Sequence, residues 1–358
     1  MTWIGLTDHM GGRFSPSGLG RGKLMHPGKV MERGTLMLET FIAGELRPHD
    51  LLSVSQHYPA QREIAVRAVP GGGFALVHQQ ADNLTHAAVA WSGDGRPHSL
   101  RLSYSWDTRL RWGRLTLEQP ERTLVRSSTV PNPGPILTDD IRDMMLGHGG
   151  RNLSKEVLFA AATSGIVPIG PMPSLHPSTP IATPQGYREA ATLRRGDVVV
   201  TDGGETSTVL HVVRYTVPAR GSFAPVRLHA PYFGLQRDIV VAPEQRLVLR
   251  GSEVEYIFGQ EAVLVPARHL VNGYAATWRP TQSVAEYVQL VLPRHEVLLA
   301  AGTALESLYI GRIRRKPELH AASVLAGISD RELPEHGAPV HQVLRSFEAI
   351  TLIENRAA

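Results

Sequence analysis

The chain has 358 residues, a formal net charge of +4 and no cysteine. The lack of cysteine excludes disulfides, thiolate metal sites and a cysteine nucleophile. The basic residues are scattered, so charge alone does not favour nucleic-acid binding. At about 150 residues per domain the length predicts two domains, and 34 glycines with 26 prolines indicate a mainly β protein rich in turns.

The N-terminal part, residues 1–130, is predicted to form a β-sandwich. Residues 1–34 lack periodicity and are interpreted as an irregular entry segment. Residues 64–69 and 74–78 are apolar runs on either side of Pro-Gly-Gly-Gly, which predicts a hairpin. Residues 98–104 and 113–117 alternate between apolar and polar side chains, and they resemble part of a laminin-G or concanavalin-type jelly roll.

Residues 131–173 are predicted to form a helical linker, because three prolines between residues 131 and 135 interrupt the strand pattern. Thr138 is a candidate cap for a first helix with acidic residues in its first turn. Ser154 is a candidate cap for a second helix over residues 157–162, which Gly165 would end. The remaining residues lead in an extended form to Ser174.

Four β-branched blocks bounded by Gly, Pro and Asp follow, which is a pattern of short strands and turns. They lie at residues 174–184, 193–204, 238–251 and 263–273. In order and spacing they resemble the Hint fold shared by Hedgehog autoprocessing domains and inteins, over residues 174–311. A C-terminal helical extension is predicted for residues 312–358. Its amphipathic helix has apolar residues at helical spacing, namely Val340, Val343, Leu344, Phe347 and Ile350.

The resemblance implies a site for self-cleavage. Its nucleophile, normally a cysteine, aligns with Ser174. Its Thr-x-x-His pair, which holds and protonates the departing amide nitrogen, aligns with Ala242 and Gln245. An amide cannot deliver the proton that general acid catalysis requires. His295 stands in a block similar to an Asp-Arg-His-Glu element of the family and is a surrogate donor or a structural histidine. His269 is interpreted as structural.

Three functions remain open from the sequence. In the first, which we favour, the chain is a Hint-domain protein that does not cleave itself and acts as a structural or binding module. In the second, it cleaves itself slowly at Pro173-Ser174. In the third, it binds carbohydrate through the N-terminal sandwich. The third function would use the aromatic faces of Trp91, Trp106 and Trp112.

No cofactor is expected, and no metal, since His57, His78, His86 and His98 lack ligand spacing. The sequence does not identify a partner; a glycan and a protein are both candidates, and nucleic acid is not expected. The N-terminus has no pattern of a signal peptide and no apolar run is long enough to span a bilayer. We therefore expect a cytoplasmic location or export by a route that needs no signal peptide.

Overall fold

The computed structural model describes residues 2–20, 30–44, 47–57, 60–122, 124–279 and 282–357. The chain divides into two compact units, Met1–Ile169 and Gly170–Ala358. The first unit therefore does not end at residue 130, and the predicted separate segment at residues 131–173 is wrong. The reason lies in the strands that follow residue 150.

The first unit is a β-sandwich, as predicted. Its described strands are β1 (Trp3–Asp8), β2 (Gly11–Phe14), β3 (Val30–Met31), β4 (Arg33–Ile42), β5 (His49–Gln56), β6 (Arg62–Ala68), β7 (Phe74–Gln80), β8 (Asn83–Val89), β9 (His98–Asp107), β10 (Trp112–Gln119), β11 (Leu124–Pro131), β12 (Ile136–Leu137), β13 (Asn152–Leu153) and β14 (Val157–Thr163). One sheet has the order β11-β10-β9-β4-β14-β1-β2, a second has the order β13-β5-β6-β7-β8, and β12 pairs with β3. Leu38 and Leu102 of the first sheet share one core with Val66 and Leu76 of the second.

The hairpin predicted at residues 64–78 is confirmed. Strands β6 and β7 pair from Arg62 opposite Gln80 to Ala68 opposite Phe74. The three glycines of the turn, Gly71 to Gly73, have φ values of 80°, 95° and 120°. Residues with a Cβ rarely adopt such values, so the glycines are what allows the chain to reverse here.

Two predictions for the first unit are wrong at the level of individual elements. Residues 1–34 are not irregular throughout, because β1 and β2 form one side of the larger sheet. The second linker helix is strand β14, which pairs with β1 on one side and β4 on the other. A strand buried inside a sheet is apolar throughout, so its pattern cannot be told from that of a short buried helix.

The first linker helix does exist. Helix α1 (Thr138–Leu146) has Asp139 and Asp140 in its first turn, but Leu137 rather than Thr138 occupies the cap position. Asp140 is ion-paired with Arg62 of β6 at 3.1 Å. The helix is thus part of the first unit rather than a connection between units.

The second unit is also mainly β. Its described strands are β15 (Pro180–Thr183), β16 (Gly186–Glu189), β17 (Val198–Val200), β18 (Thr206–Thr208), β19 (His211–Pro218), β20 (Val226–Leu228), β21 (Ile239–Val241), β22 (Arg246–Arg250), β23 (Ala262–Pro266), β24 (Ala276–Trp278), β25 (Val284–Val291), β26 (Val297–Ala300), β27 (Thr303–Glu306) and β28 (Gln342–Val343). The main sheet has the order β16-β15-β26-β27-β22-β23-β28, and the smaller sheets are β17-β18, β19-β25 and β21-β20-β24.

Helices are few in the second unit. Its α-helices are α2 (Ser252–Phe258), α3 (Pro317–Ala321) and α4 (Ser346–Ala357). Short 3-10 turns lie at Ala190–Thr192, Gly221–Phe223, Tyr232–Gly234, Ala267–Leu270 and Ile313–Arg315. No helix in the part of the chain described here combines the length and the apolarity needed to cross a membrane.

The C-terminal segment is helical only in part. Val343 belongs to β28, which pairs in parallel with β23, and the amphipathic helix begins at Ser346. Leu344 and Leu352 lie in the same core as the strands of the second unit. Phe347 and Ile350 are 55% and 48% exposed, so only part of the predicted apolar face is buried.

Two of the three tryptophans proposed for carbohydrate binding are buried. Trp106 is 0% and Trp91 is 5% exposed. The indole nitrogen of Trp106 donates to the Met31 carbonyl at 2.9 Å. Neither of these two rings offers a face to a sugar, so the carbohydrate hypothesis depends on Trp112, which is half-buried.

Truncation of Trp106 tests this assignment. We expect Trp106→Ala to lower the free energy of unfolding by about 3–5 kcal/mol, because it empties a core site. Trp112→Ala should cost much less, since that ring is half-buried and its described ring contact is the Arg114 guanidinium at 5.4 Å. Urea unfolding of both variants measures the difference, and equal losses would contradict the assignment.

Candidate functional site

Ser174 lies in a short extended segment between two strands. Leu175 exchanges backbone hydrogen bonds with Val288 of β25, at 3.0 and 2.8 Å. On the other side, Ala242 N–H donates to the Ser174 carbonyl at 2.7 Å, and His176 N–H donates to the Val240 carbonyl at 3.1 Å. The backbone around Ser174 is therefore fixed from both sides. Ser174 is 9% exposed, and the preceding proline is also buried.

The hydroxyl of Ser174 contacts two amide side chains. It donates to Gln245 Oε1 at 2.6 Å and accepts from Gln289 Nε2 at 3.2 Å. Gln289 Nε2 also lies 3.0 Å from Gln245 Oε1. We call these three buried side chains the amide cluster. Both the proton and a lone pair of the serine oxygen are engaged within it.

Gln245 is held in place by the turn that starts at Ala242. Its backbone N–H donates to the Ala242 carbonyl at 3.0 Å. Its side-chain nitrogen donates to the carbonyls of Arg246 and Glu306, at 3.0 and 3.2 Å. The turn therefore brings the two positions that align with the Thr-x-x-His pair next to Ser174. A methyl group and an amide stand where that pair would have a hydroxyl and an imidazole.

Gln289 is the residue of this cluster that sequence reasoning missed. It is 1% exposed and stands in β25, beside Val288, whose backbone pairs with Leu175. Its amide nitrogen also lies 3.2 Å from the Glu306 carbonyl. A signal existed in the sequence, since Gln289 is the polar residue within the apolar run at residues 288–292. Buried polar groups are normally hydrogen-bonded, so a glutamine there calls for a polar partner.

His295 does not join the cluster. Its Nδ1 accepts a hydrogen bond from Val340 N–H at 3.1 Å, and its Nε2 lies 3.3 Å from a Glu306 carboxylate oxygen. The same carboxylate is ion-paired with Arg246 at 3.1 Å. Among the described residues, none of its polar contacts involves Ser174 or Gln245. Glu306 lies between His295 and the amide cluster. Its backbone carbonyl accepts from the two glutamines, and its carboxylate faces His295 and Arg246.

The other histidines near the segment are also separate from the cluster. His176 Nδ1 lies 2.8 Å from the Ser178 hydroxyl. His269 stands on the 3-10 turn at Ala267–Leu270, where burial lowers its pKa to about 4 and the charge of Arg268 acts in the same direction. In the described ranges, no group of three or more histidine or acidic side chains is placed to hold a metal ion.

The chemistry of the cluster follows from its atoms. A serine hydroxyl attacks a carbonyl only weakly unless a base removes its proton. The two groups that contact the Ser174 oxygen are both carboxamides, and a carboxamide neither takes up nor releases a proton near neutral pH. The arrangement orients and buries the hydroxyl, and neither side chain that contacts its oxygen is an acid or a base at neutral pH.

Comparison with known proteins gives a family match for part of the chain. Residues 173–312 match the family described as Hint domain. No curated protein matches the chain.

Solved structures give weaker likenesses. The chain is similar to the gp41-1 intein, with 13% identity over 37% of this chain and 98% of that one and a TM-score of 0.25. It is similar to the Msm DnaB1 intein splicing domain bound with zinc, with 19% identity over 37% and 98% and a TM-score of 0.24. It is also similar to the CBM40 of the Ruminococcus gnavus IT-sialidase bound to α2,3-sialyllactose, with 15% identity over 39% and 79% and a TM-score of 0.28. At these scores the structural likenesses support no conclusion about activity.

The amide cluster should contribute measurably to stability. We expect Gln289→Leu to lower the free energy of unfolding by about 1–3 kcal/mol, because it removes the donor that Ser174, Gln245 and Glu306 share. Gln236→Leu, at an exposed position, is the matched control and should change stability by about 0.5 kcal/mol or less. Urea unfolding compares them, and a neutral Gln289→Leu would contradict the proposed network.

The lowered pKa of His269 predicts a pH dependence of stability. An unfolded chain takes up the proton near pH 6.5, whereas the folded chain takes it up near pH 4. Above pH 6.5 the neutral His269 does not reduce the free energy of unfolding. As the pH falls from 6.5 toward 4, the unfolded chain gains a proton that the folded chain does not, so the free energy of unfolding decreases. Relative to the native chain, His269→Gln should reduce the loss between pH 7 and pH 4 by on the order of 2–3 kcal/mol. Unfolding curves at the two pH values measure this, and equal losses in both proteins would exclude the assignment.

Proposed function

We propose that this chain, which carries a Hint domain at residues 173–312, does not cleave itself and uses that domain as a structural or binding module. The observation that carries the proposal is the hydrogen bond from the Ser174 hydroxyl to Gln245 Oε1 at 2.6 Å. It joins the aligned nucleophile to a group with no acid–base function at neutral pH.

The first requirement for cleavage is a nucleophile that can reach the Pro173 carbonyl. Attack by a neutral hydroxyl needs a base to accept its proton during the reaction. Within the described structure the proton of Ser174 points to a carboxamide oxygen, and Gln289 occupies a lone pair of the same serine oxygen. Attack would first have to break both contacts and would still lack a base.

The second requirement is a proton for the departing nitrogen of Ser174. Gln245 occupies the aligned position, and its two N–H bonds are directed at the carbonyls of Arg246 and Glu306. Loss of a general acid slows a reaction by roughly 10²–10⁴-fold. His295 does not replace it, because its polar contacts are with Val340 and Glu306.

The scaffold around the site nevertheless supports a role that needs no chemistry. The pairing of residues 174–176 with β21 and β25 and the turn that carries Ala242 and Gln245 are both formed. A rigid β scaffold of this kind can present loops and pockets to a partner. Binding or structural support is therefore the function that these contacts favour.

Intact-mass measurement tests the proposal directly. After prolonged incubation at neutral pH we expect the purified chain to remain a single full-length species. Fragments of residues 1–173 and 174–358 that disappear in Ser174→Ala would overturn the proposal and establish serine-type self-cleavage.

A restored site tests whether only the chemistry has been lost. The triple variant Ser174→Cys, Ala242→Thr, Gln245→His supplies a thiol, a hydroxyl and an imidazole at the aligned positions. We expect it to cleave between residues 173 and 174, because their backbone positions are retained. The matched control is Ser174→Ala with the same two other substitutions, and it should stay whole. If the folded triple variant also stays whole, the inactivity does not reside in these three residues alone.

A further inference from the structure

The second unit contains a polar pocket beside the segment that begins with Ser174. Its cavity measures about 160 Å³ and is lined by Ser178, Thr179, Arg227, Asp238, Ile239, Val240 and Arg279. Pockets for drug-sized ligands measure about 300–1,000 Å³. The space is therefore suited to a small group, such as one carboxylate or one phosphate, rather than to a whole cofactor.

Arg227 is fixed in this pocket by Asp238. The guanidinium contacts one carboxylate oxygen through Nε at 2.9 Å and Nη2 at 2.8 Å. Asp238 also accepts from Ala230 N–H at 2.8 Å and lies 3.2 Å from His229 Nδ1. The Ala230 hydrogen bond is the largest factor that lowers the pKa of Asp238, so its carboxylate is ionised. The single negative charge in the lining is thus bound by its neighbours, while Nη1 of Arg227 makes no hydrogen bond within the described residues.

Arg279 contributes a second cation, at the end of β24. Its backbone N–H donates to the Pro225 carbonyl at 2.8 Å, which fixes where the side chain starts. Its guanidinium has no hydrogen bond or ion pair among the residues that the structure describes. Its charge acts on His176, whose ring contacts Ser178 of the lining: burial lowers the pKa of His176, and Arg279 lowers it further. The lining therefore has two arginines against one aspartate, a formal charge of +1.

Hydroxyl groups complete the lining. Ser178 is exposed, and its hydroxyl lies 2.8 Å from His176 Nδ1, so the side chain is held at the pocket wall. Thr179 is buried next to it. Guanidinium and hydroxyl donors are the groups that bind carboxylates and phosphates in proteins, and guanidinium does so with two parallel hydrogen bonds.

We propose that this pocket binds an oxyanion, a carboxylate or a phosphate group, and that it is the ligand site of the binding module. The inference rests on the proposed function and gives it a ligand class. Arg279 and the free edge of Arg227 are the main binding groups, and Asp238 positions Arg227. The charges of Glu286 and Glu189 raise the pKa of His176, whereas the charge of Arg279 lowers it. Because these negative charges oppose the positive charge of Arg279, we expect modest affinity for an isolated anion.

Titration of the full-length chain with inorganic phosphate, and separately with acetate, tests the proposal. We expect saturable binding of at least one anion with a dissociation constant in roughly the millimolar range, weakened by added sodium chloride because the arginines are partly exposed. Binding of phosphate alone or of acetate alone identifies the source of the oxyanion. No saturable binding of either would overturn the inference.

Substitution of the arginines locates the site. Arg279→Gln should weaken binding by roughly tenfold or more, the loss expected for a charge-assisted hydrogen bond. Arg237→Gln is the matched control, because Arg237 is exposed, adjacent in sequence to Asp238 and outside the lining. Both variants should keep the thermal unfolding midpoint of the native chain. Anion binding that Arg279→Gln leaves unchanged would also overturn the inference.

The two proposals fail separately. Self-cleavage at residue 173 would overturn the assignment of an inactive domain and would leave a measured anion affinity unaffected. A chain that stays whole but binds neither anion would retain the inactive assignment and lose this ligand class.

Discussion

The pairing of residues 174–176 with strands on both sides is the constraint on which the rest of the site depends. It fixes the Ser174 carbonyl against Ala242 and the Leu175 backbone against Val288. The first contact brings the turn that carries Gln245, and the second brings the strand that carries Gln289. The hydroxyl therefore meets two amides because of how the backbone pairs. The same pairing places Ser178 and Val240 at the oxyanion pocket.

The composition of the amide cluster shows how a buried polar site is accommodated in the core of the second unit. A catalytic imidazole has to carry a charge during the reaction, and charge is costly to bury. A hydroxyl and two carboxamides carry none, and they satisfy much of one another's hydrogen-bonding capacity. Gln289 Oε1 is the exception, since it has no partner among the described residues. A site made of neutral side chains is therefore less costly to bury than one with an ionised imidazole.

The sequence predicted the sandwich, the 64–78 hairpin and the order of the Hint blocks because strand patterns and turn residues are local signals. It failed for β14, an almost entirely buried strand whose apolar run has no regular alternation to separate it from a helix. The prediction that Phe347 and Ile350 are buried was also wrong. Helical spacing identifies the apolar residues of a helix but does not show which of them pack against the rest of the protein. Gln289 was missed for a different reason: its partners lie 44 and 115 residues away in the chain. His295 was grouped with Ser174 by a block resemblance, but its contacts depend on how Glu306 and the C-terminal segment fold.

If the domain does not cleave the chain, Ser174 should form no ester with the Pro173 carbonyl, and an attempt to trap such an ester is the sharpest test. Hydroxylamine under alkaline conditions cleaves an oxygen ester formed by an acyl shift even where later steps are blocked. We expect the native chain, incubated with alkaline hydroxylamine, to yield no fragment ending at Pro173 by mass spectrometry. A cut at Asn272-Gly273, a bond that hydroxylamine attacks under alkaline conditions, has a different mass and does not bear on the claim. A fragment of residues 1–173 that ends in a hydroxamate and is lost in Ser174→Ala would contradict the account.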